Sequence, residues 1–381
     1  MRFLVLGAGA QGSAAALDLA RTAGVEKVVL ADMEIGHPRD FLKPYLGKPI
    51  ELKRVDAATP GQVRSLMREV DAVACALPYY FNATMTRLAI EAGVHFCDLG
   101  GKTEIVDEQV SLNDAAVAAS VSVVPDCGLA PGMVNVLAQG GIDALDTAHS
   151  VRMFVGGLPQ DPHPPLNYQV VYSLEGVLDY YTTPVLVLEN GEVVEKEALT
   201  EVETVEFPAP VGRLEAFLTA GGASRMPYQY RGRIASMSYK TLRYPGHAYL
   251  VKAMRDLGLY DDDPVKVDGW MVSPRDVFIA TVGRKLATET GGDFVALRVV
   301  VEGTKAGKAK TITYDLLDRF DERTGVTAMM RTTGYSLSTV ARLQVEGVVR
   351  PGVHTPYECV PVDAYVKTLG ERGIGIEKRE T

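Results

Sequence analysis

The sequence predicts an α/β fold, a doubly wound parallel sheet followed by a second, α+β domain. Three observations carry that expectation. Arg2 to Leu6 is a short apolar run that breaks at Gly7, and Gly7, Gly9 and Gly12 have the spacing of a dinucleotide-binding turn. A second apolar run, Lys27 to Asp32, ends in an acid twenty residues after Gly12, where an acid can read a ribose. Six such runs alternate with helix-forming stretches up to residue 126, and strand-like runs dominate from Val151 onward.

Taken in order, Gly7 allows a tight turn, Gly9 allows backbone to approach a pyrophosphate, and Gly12 allows the next helix to pack on its strand. Ala14, Ala15, Ala16, Leu17, Leu19 and Ala20 are strong helix formers, so a helix follows whose first N–H groups suit a diphosphate. Ile50 to Val55 alternates as a third strand closed by Asp56, and Pro60 opens a helix running through Val70. Ala72 to Ala76 is apolar throughout, as a parallel strand covered on both faces requires. The loop Leu77-Pro78-Tyr79-Tyr80-Phe81-Asn82 leaves it, a helix spans Ala83 to Ala92, and His95 to Asp98 is the fifth strand. A single helix is expected near Val106 to Ala119, then a sixth strand at Ser122 to Pro125. Gly7, Asp32, Asp56, Leu77, Asp98 and Asp126 thereby fall at the carboxyl ends of strands, where ligands of such sheets lie. The cofactor-binding set read from this placement is Gly7, Gly9, Ala10, Gln11, Gly12, Asp32, Asp56, Leu77 and Pro78.

Beyond a turn at Asp126 to Gly132 and a helix from Met133 to Gly140, strand-like runs cover Ser150 to Val155, Val185 to Leu188, Ile234 to Leu242, Val295 to Glu302 and Ala309 to Tyr314. Helical spacing returns at Thr333 to Gly347 and at Val362 to Arg372. The organisation expected is a Rossmann domain over residues 1–126 and a substrate-binding and dimerisation domain over 127–332. Helices within 333–381 would pack back on the first domain.

Length and composition are those of a globular protein, and a net charge of -9 with scattered Lys and Arg argues against nucleic acid as a partner. No apolar run is long enough to span a bilayer and no signal-peptide layout is seen, so a cytoplasmic protein without a membrane partner is expected. Cys75, Cys97, Cys127 and Cys359 lie far apart without a C-x-x-C pair, which reads as free thiols and no metal site.

Asp32 can accept both hydroxyls of an adenosine ribose while repelling a 2′-phosphate, so NAD is the expected cofactor; the other reading is a solvated strand-end acid. Later in the chain Tyr168, Glu175, Tyr180, Tyr181 and Thr182 cluster, and Arg243-Tyr244-Pro245-Gly246-His247 forms a turn. Arg243 suits a substrate carboxylate and His247 suits a proton donor or carrier. An ion-pair role for Arg243, a packed role for His247 and a helix-surface role for Glu175 fit the same residues.

The chain resembles the saccharopine dehydrogenase superfamily, and within it the lysine 6-dehydrogenases most closely. The resemblance rests on G-A-G-A-Q-G at Gly7 to Gly12, F-N at Phe81-Asn82, D-L-G-G at Asp98 to Gly101 and D-C-G-L-A-P-G-M at Asp126 to Met133. It continues in S-L-E-G at Ser173 to Gly176 with the aromatic spacing before it, L-E-A-F at Leu214 to Phe217, and Y-K-T-L-R-Y-P-G-H at Tyr239 to His247. Saccharopine reductases carry an acid before the proline of the Asp-to-Gly turn, whereas Ala130 stands here, which favours lysine over saccharopine. The resemblance implies NAD-dependent oxidation of the terminal amine of L-lysine to an imine, then hydrolysis to the semialdehyde with loss of ammonia, and ring closure. It implies Asp98, Glu175 and His247 as catalytic candidates, Tyr80, Asn82, Met133, Tyr168 and Arg243 as substrate-binding candidates, and a homodimer built through the second domain. Two alternatives stay open: a saccharopine or related opine-type dehydrogenase, and a non-catalytic NAD-binding sensor.

Overall fold

The computed structural model describes residues 1–170, 173–286 and 291–381. Two compact units emerge, one of residues 1–143 with 321–376 and one of residues 144–320 with 377–381. The passage between them falls after residue 143, later than the expected boundary at 126, because the helix that follows the Asp126 turn stays with the first unit.

In the first unit strands alternate with helices. Strands β1 (Arg2–Leu6), β2 (Lys27–Asp32), β3 (Ile50–Arg54), β4 (Ala72–Cys75), β5 (His95–Asp98) and β6 (Ser122–Val124) are separated by α1 (Ala10–Arg21), α2 (Pro60–Met67), α3 (Asn82–Ala92), α4 (Thr103–Val110) and α5 (Asn113–Ala118), except that a short 3-10 turn (Asp40–Tyr45) joins β2 to β3 and two helices join β5 to β6. The helix α6 (Met133–Asp143) follows. Phe3, Leu4, Val5, Val73, Ala74 and Phe96 are all fully buried, which is why these strands are apolar without alternation. Parallel register sets Leu6 beside both Ala31 and Cys75, so the carboxyl ends of β1, β2 and β4 lie side by side. The single helix expected at Val106 to Ala119 is two. Ser111 Oγ donates to the Glu108 carbonyl, a local bond that competes with helix continuation, and the chain turns before Asn113.

The second unit is built on long strands: β7 (Thr147–Pro159), β8 (Val185–Glu189), β9 (Glu192–Lys196), β10 (Glu203–Glu206), β11 (Arg213–Leu218), β12 (Ser236–Arg243), the small hairpin β13 (Val265–Val267) and β14 (Trp270–Val272), β15 (Asp293–Lys305) and β16 (Lys308–Arg319). Its helices are α7 (Leu174–Thr182), α8 (Met226–Tyr230), α9 (His247–Asp256) and α10 (Pro274–Leu286). The strands form a mixed sheet in which β12 runs parallel to β7 and antiparallel to β11, while β7, β15 and β16 form an antiparallel run. Val171 and Tyr172, just before the S-L-E-G run, lie outside the described residues.

The chain then re-enters the first unit through α11 (Ala328–Val345), β17 (Gly352–Val353), α12 (Pro356–Cys359) and α13 (Val362–Glu371), and β18 (Ile376–Glu380) follows. β17 adds a seventh strand, giving the order β17-β6-β5-β4-β1-β2-β3. Thr327 caps α11 by accepting the Met330 N–H, and the helix lies against α1 so closely that a Cβ on Gly334 would sit 2.7 Å from the Gln11 carbonyl oxygen. Asp18 of α1 ties three helices together: its buried carboxylate accepts from Ser338 Oγ at 2.6 Å and from Arg372 Nε at 2.5 Å. Cys75, Cys97 and Cys127 are buried and all the cysteines are free thiols. Among the described residues no helix is long and apolar enough to cross a membrane.

Candidate functional site

The first unit places a turn with open backbone donors at the carboxyl end of β1. Gly7 has φ +95 and a Cβ on Gly12 would lie 1.9 Å from the Gly7 carbonyl oxygen, so neither position admits another residue without rebuilding the turn. Gly9 is exposed with nothing within 4 Å of where a Cβ would stand, which leaves its face open. The first N–H groups of α1 have no acceptor within the helix, as at any helix start, and here they surround that open glycine. Asp32 stands at the edge of the turn with its carboxylate fixed, Oδ2 accepting the Ala8 N–H at 2.7 Å and Oδ1 the Glu34 N–H at 2.9 Å. Asp56 is exposed and caps its own loop through the Ala58 N–H. Leu77 is half-buried and Pro78 exposed, just past β4. Free amides, an open glycine and a strand-end carboxylate fit a pyridine dinucleotide.

Asp98 is different from the expectation. Its carboxylate is 0 % exposed. Oδ1 accepts from Asn82 Nδ2 at 2.9 Å and the Gly100 N–H at 2.7 Å, while Oδ2 accepts from Gln109 Nε2 at 2.6 Å. Burial raises its pKa to about 6 although these donors pull it down. A carboxylate so enclosed braces the turn after β5 and cannot meet a substrate, so the catalytic expectation for Asp98 is corrected to a structural one. Asn82 is consumed in the same brace and Met133 is a fully buried core residue, so neither presents a side chain to a ligand. Tyr80, by contrast, is 62 % exposed on the short turn Tyr79–Phe81. The turn before α6 is tight because Gly132 has φ +130 and a Cβ there would lie 2.1 Å from the Gly128 carbonyl oxygen.

The second unit gathers Tyr168, Tyr181, Tyr239, Arg243 and His247, all buried. Arg243 ends β12, is 5 % exposed, and holds its guanidinium 4.7 Å above the Tyr168 ring. The Tyr168 hydroxyl is buried beside the Arg243 guanidinium; burial raises its pKa, and the charge and hydrogen bonding of Arg243 pull it down. His247 opens α9, whose first N–H groups are capped from β11: Glu215 accepts from Gly246 and Ala248 at 2.8 and 2.6 Å. Its Nδ1 lies 3.0 Å from the Leu166 carbonyl, which can only accept, so Nδ1 carries the proton and Nε2 accepts from the Tyr181 hydroxyl at 3.0 Å. Burial, reinforced by the neighbouring Arg243 charge, lowers the His247 pKa to about 3. His247 is therefore a neutral residue with both nitrogens committed, and the expectation of a proton carrier is corrected. Glu175 is exposed in the first turn of α7, where an acid complements the helix dipole.

The structure thus brings Tyr168, Arg243 and His247 together, and the glycine turn with Asp32. Sequence reasoning passed over Gln109, Glu215 and Tyr239. Glu215 lies inside the L-E-A-F run directly across from Arg243, and that strand pairing was the only signal that could have marked it. Among the described residues no group of His, Cys, Asp and Glu is placed to hold a metal ion.

Comparison with known proteins divides the chain between residues 124 and 128, ahead of the unit boundary that follows residue 143. The family description "Saccharopine dehydrogenase NADP binding domain" matches residues 3–124, and "Saccharopine dehydrogenase C-terminal domain" matches residues 128–374. A saccharopine dehydrogenase [NADP(+), L-glutamate-forming] of Schizosaccharomyces pombe is 25% identical across 85% of this chain and 87% of its own length. The mitochondrial alpha-aminoadipic semialdehyde synthase of Mus musculus is 26% identical across 68% of this chain, which corresponds to 28% of that longer protein. Among solved structures, the apo saccharopine dehydrogenase (L-Glu forming) of Saccharomyces cerevisiae superposes with a TM-score of 0.81 at 20% identity, covering 100% of this chain and 99% of that one. The homospermidine synthase of Legionella pneumophila, solved with NAD, superposes with a TM-score of 0.71 at 13% identity, covering 100% of this chain and 91% of that one.

Proposed function

Because the chain belongs to the saccharopine dehydrogenase family of oxidoreductases, we propose that it oxidises the terminal amine of L-lysine with NAD. The products in this reading are the 6-semialdehyde, which cyclises, and free ammonia. The observation that carries it is the buried Arg243–Tyr168 pair, in which a guanidinium lies over an aromatic ring inside the second unit. A buried guanidinium beside a phenolic hydroxyl suits one carboxylate. Arg243 also donates from Nη1 to the Leu242 carbonyl at 2.9 Å, and the other buried cations of the unit pair with acids, Lys240 with Glu203 and Arg275 with Asp179. Saccharopine, with three carboxylates, asks for more cationic partners than this pair supplies.

A bound pyridine dinucleotide supplies the oxidant. The chain's own residues do the rest of the work in this proposal. The first amides of α1 hold the diphosphate and Asp32 takes the adenosine ribose hydroxyls, its charge disfavouring a 2′-phosphate. Arg243 and the Tyr168 hydroxyl hold the α-carboxylate, and His247 fixes the Tyr181 hydroxyl beside them without exchanging a proton. The carbon next to the terminal nitrogen loses its hydride only when that nitrogen is uncharged, so the amine must first shed its proton. Water then adds to the imine and ammonia leaves.

The second reading is saccharopine oxidation with NADP, favoured by the similarity to fungal saccharopine dehydrogenases that use NADP. Incubation of the protein with L-lysine or with saccharopine, each with NAD or NADP, separates the two. Ammonia without glutamate, formed from lysine with NAD, is the expected result. Glutamate formed from saccharopine, with lysine inert, would overturn it.

A further inference from the structure

Guanidinium groups that converge on one cavity repel each other, and an anion with several oxygens relieves that repulsion. The first unit holds such a cavity, of about 590 Å³, at the C-terminal ends of α1 and α13. Arg21, Arg323, Arg331, Arg342 and Arg372 line it, against the carboxylates of Asp18, Asp321 and Glu371. Three of the five guanidiniums serve the fold. Arg372 pairs with Asp18, and Arg342 donates to Thr368 Oγ1 and lies 3.6 Å from Glu346. Arg331 donates to the carbonyls of Arg372 and Gly373, where a cation suits the end of a helix.

The other two have no such duty. Arg21 donates from Nε to the Tyr45 hydroxyl at 2.9 Å and pairs with no acid among the described residues. Arg323 stands on the turn before α11 with its side chain 84 % exposed, and Asp321, 3.8 Å away, already accepts from the Arg323 N–H and the Thr324 hydroxyl. Tyr335 of α11 lines the same cavity, with the Arg331 guanidinium 5.9 Å from its ring centre. Burial raises the pKa of its hydroxyl, with Asp18 and Asp321 acting in the same direction and Arg331 and Arg21 against it. That hydroxyl therefore stays protonated, a donor within reach of charges from both ends of the chain.

Arg21, Arg323 and Tyr335 come from a helix end, a turn and a helix side, so their donors approach from three directions. A phosphate group presents its terminal oxygens on a tetrahedral centre, whereas a carboxylate presents two in one plane. We propose that this cavity binds a phosphate group, carried by a small organic ester or free, through Arg21, Arg323 and the Tyr335 hydroxyl. The volume falls in the range of small-molecule sites, roughly 300–1,000 Å³, and leaves room for the organic part of an ester. The site is separate from the glycine turn, since it lies at the other end of α1, about 18 Å away for twelve residues at 1.5 Å each. A phosphate bound there ties the first pass of the chain to the returning segment and stabilises the first unit by mass action.

The test uses the full chain in chloride at constant ionic strength. Glycerol 3-phosphate and inorganic phosphate are titrated calorimetrically into wild type, Arg21→Gln and Arg323→Ala, with and without NADH, and each protein is melted with and without the two anions. Wild type is expected to bind at least one of them saturably in the presence of NADH and to melt higher with it. Tighter binding of the ester would identify an organic phosphate as the ligand, and tighter binding of the inorganic ion would identify free phosphate. Both variants are expected to melt like wild type in chloride and to bind about tenfold more weakly, the loss of a hydrogen bond to a charged group. Wild type that binds neither anion overturns the proposal. So does equal affinity in all three proteins, as adsorption or a general salt effect would give, and so does binding that NADH abolishes and neither variant weakens, which would place the anion at the glycine turn.

Discussion

His247 donates from Nδ1 and accepts at Nε2, so a proton arriving at Nε2 has to displace the Tyr181 hydroxyl inside an apolar shell and beside the Arg243 charge. The sign of the consequence is fixed. Above the ordinary histidine value of 6.5 the ring is neutral in both folded and unfolded chains; below it the unfolded chain gains a proton that the folded one refuses until about pH 3. Wild-type stability should therefore fall by about 1.4 kcal/mol for each pH unit below about 6.5 on account of this residue. Denaturation of wild type and His247→Gln between pH 7 and 4.5 checks this, since the wild-type advantage should shrink by on the order of 2 kcal/mol. An advantage that stays constant, or a catalytic rate with a limb near pH 6.5 that vanishes in the variant, would mean that His247 titrates as a base after all. The expected rate instead climbs toward the lysine amine value of about 10.4. At this scale the glycine turn and Asp32 were legible because spacing after a strand determines where they stand. Asp98, Asn82 and His247 were misread because residue type announces chemistry, whereas burial and hydrogen-bond partners decide it, and these arise from segments far apart in the chain.

α1 and α11 meet through small residues, and Gly334 is where the two backbones approach. In the interior of an exposed helix, Gly→Ala stabilises by roughly 1 kcal/mol. Here the added methyl would stand 2.7 Å from the Gln11 carbonyl oxygen and 3.0 Å from Ala15 N, neither of which can swing aside. Gly334→Ala should therefore destabilise, by about 1–3 kcal/mol as overpacking does, and should weaken dinucleotide binding because the strain falls on the first turn of α1. Chemical denaturation together with NADH titration reads both effects, and a more stable Gly334→Ala protein would show that the helices are not in contact as described. The six parallel strands were legible as elements because burial on both faces leaves an apolar run with no competing pattern. The α4–α5 break was not, since a Ser111 hydroxyl turning onto a carbonyl leaves the helical spacing of apolar residues intact. Nor was β17, whose two residues carry no period at all.

The first unit is discontinuous in the chain, and its own energetics say that residues 1–143 are incomplete without 321–376. Leu337, Val340 and Ala341 of α11 are fully buried, and each large apolar side chain among them is worth about 1.5–3 kcal/mol when removed from water. Removing α11 and α13 also strips Ser338 and Arg372 from the buried Asp18 carboxylate, and an uncompensated buried charge costs roughly 3–5 kcal/mol. Together these losses rival the whole stability of an ordinary domain, about 5–15 kcal/mol. The dependence could not be read from sequence, because the pairing of Asp18 with Arg372 spans nearly the full chain and leaves no local trace. A protein of residues 1–143 alone is therefore expected to lack a cooperative melt and to leave NADH fluorescence unchanged. Joining residue 143 to residue 321 through a flexible Gly/Ser linker should restore both properties, since the second unit supplies none of these contacts. A 1–143 fragment that melts cooperatively and binds NADH as the full chain does would show that the returning helices decorate this unit and do not complete it.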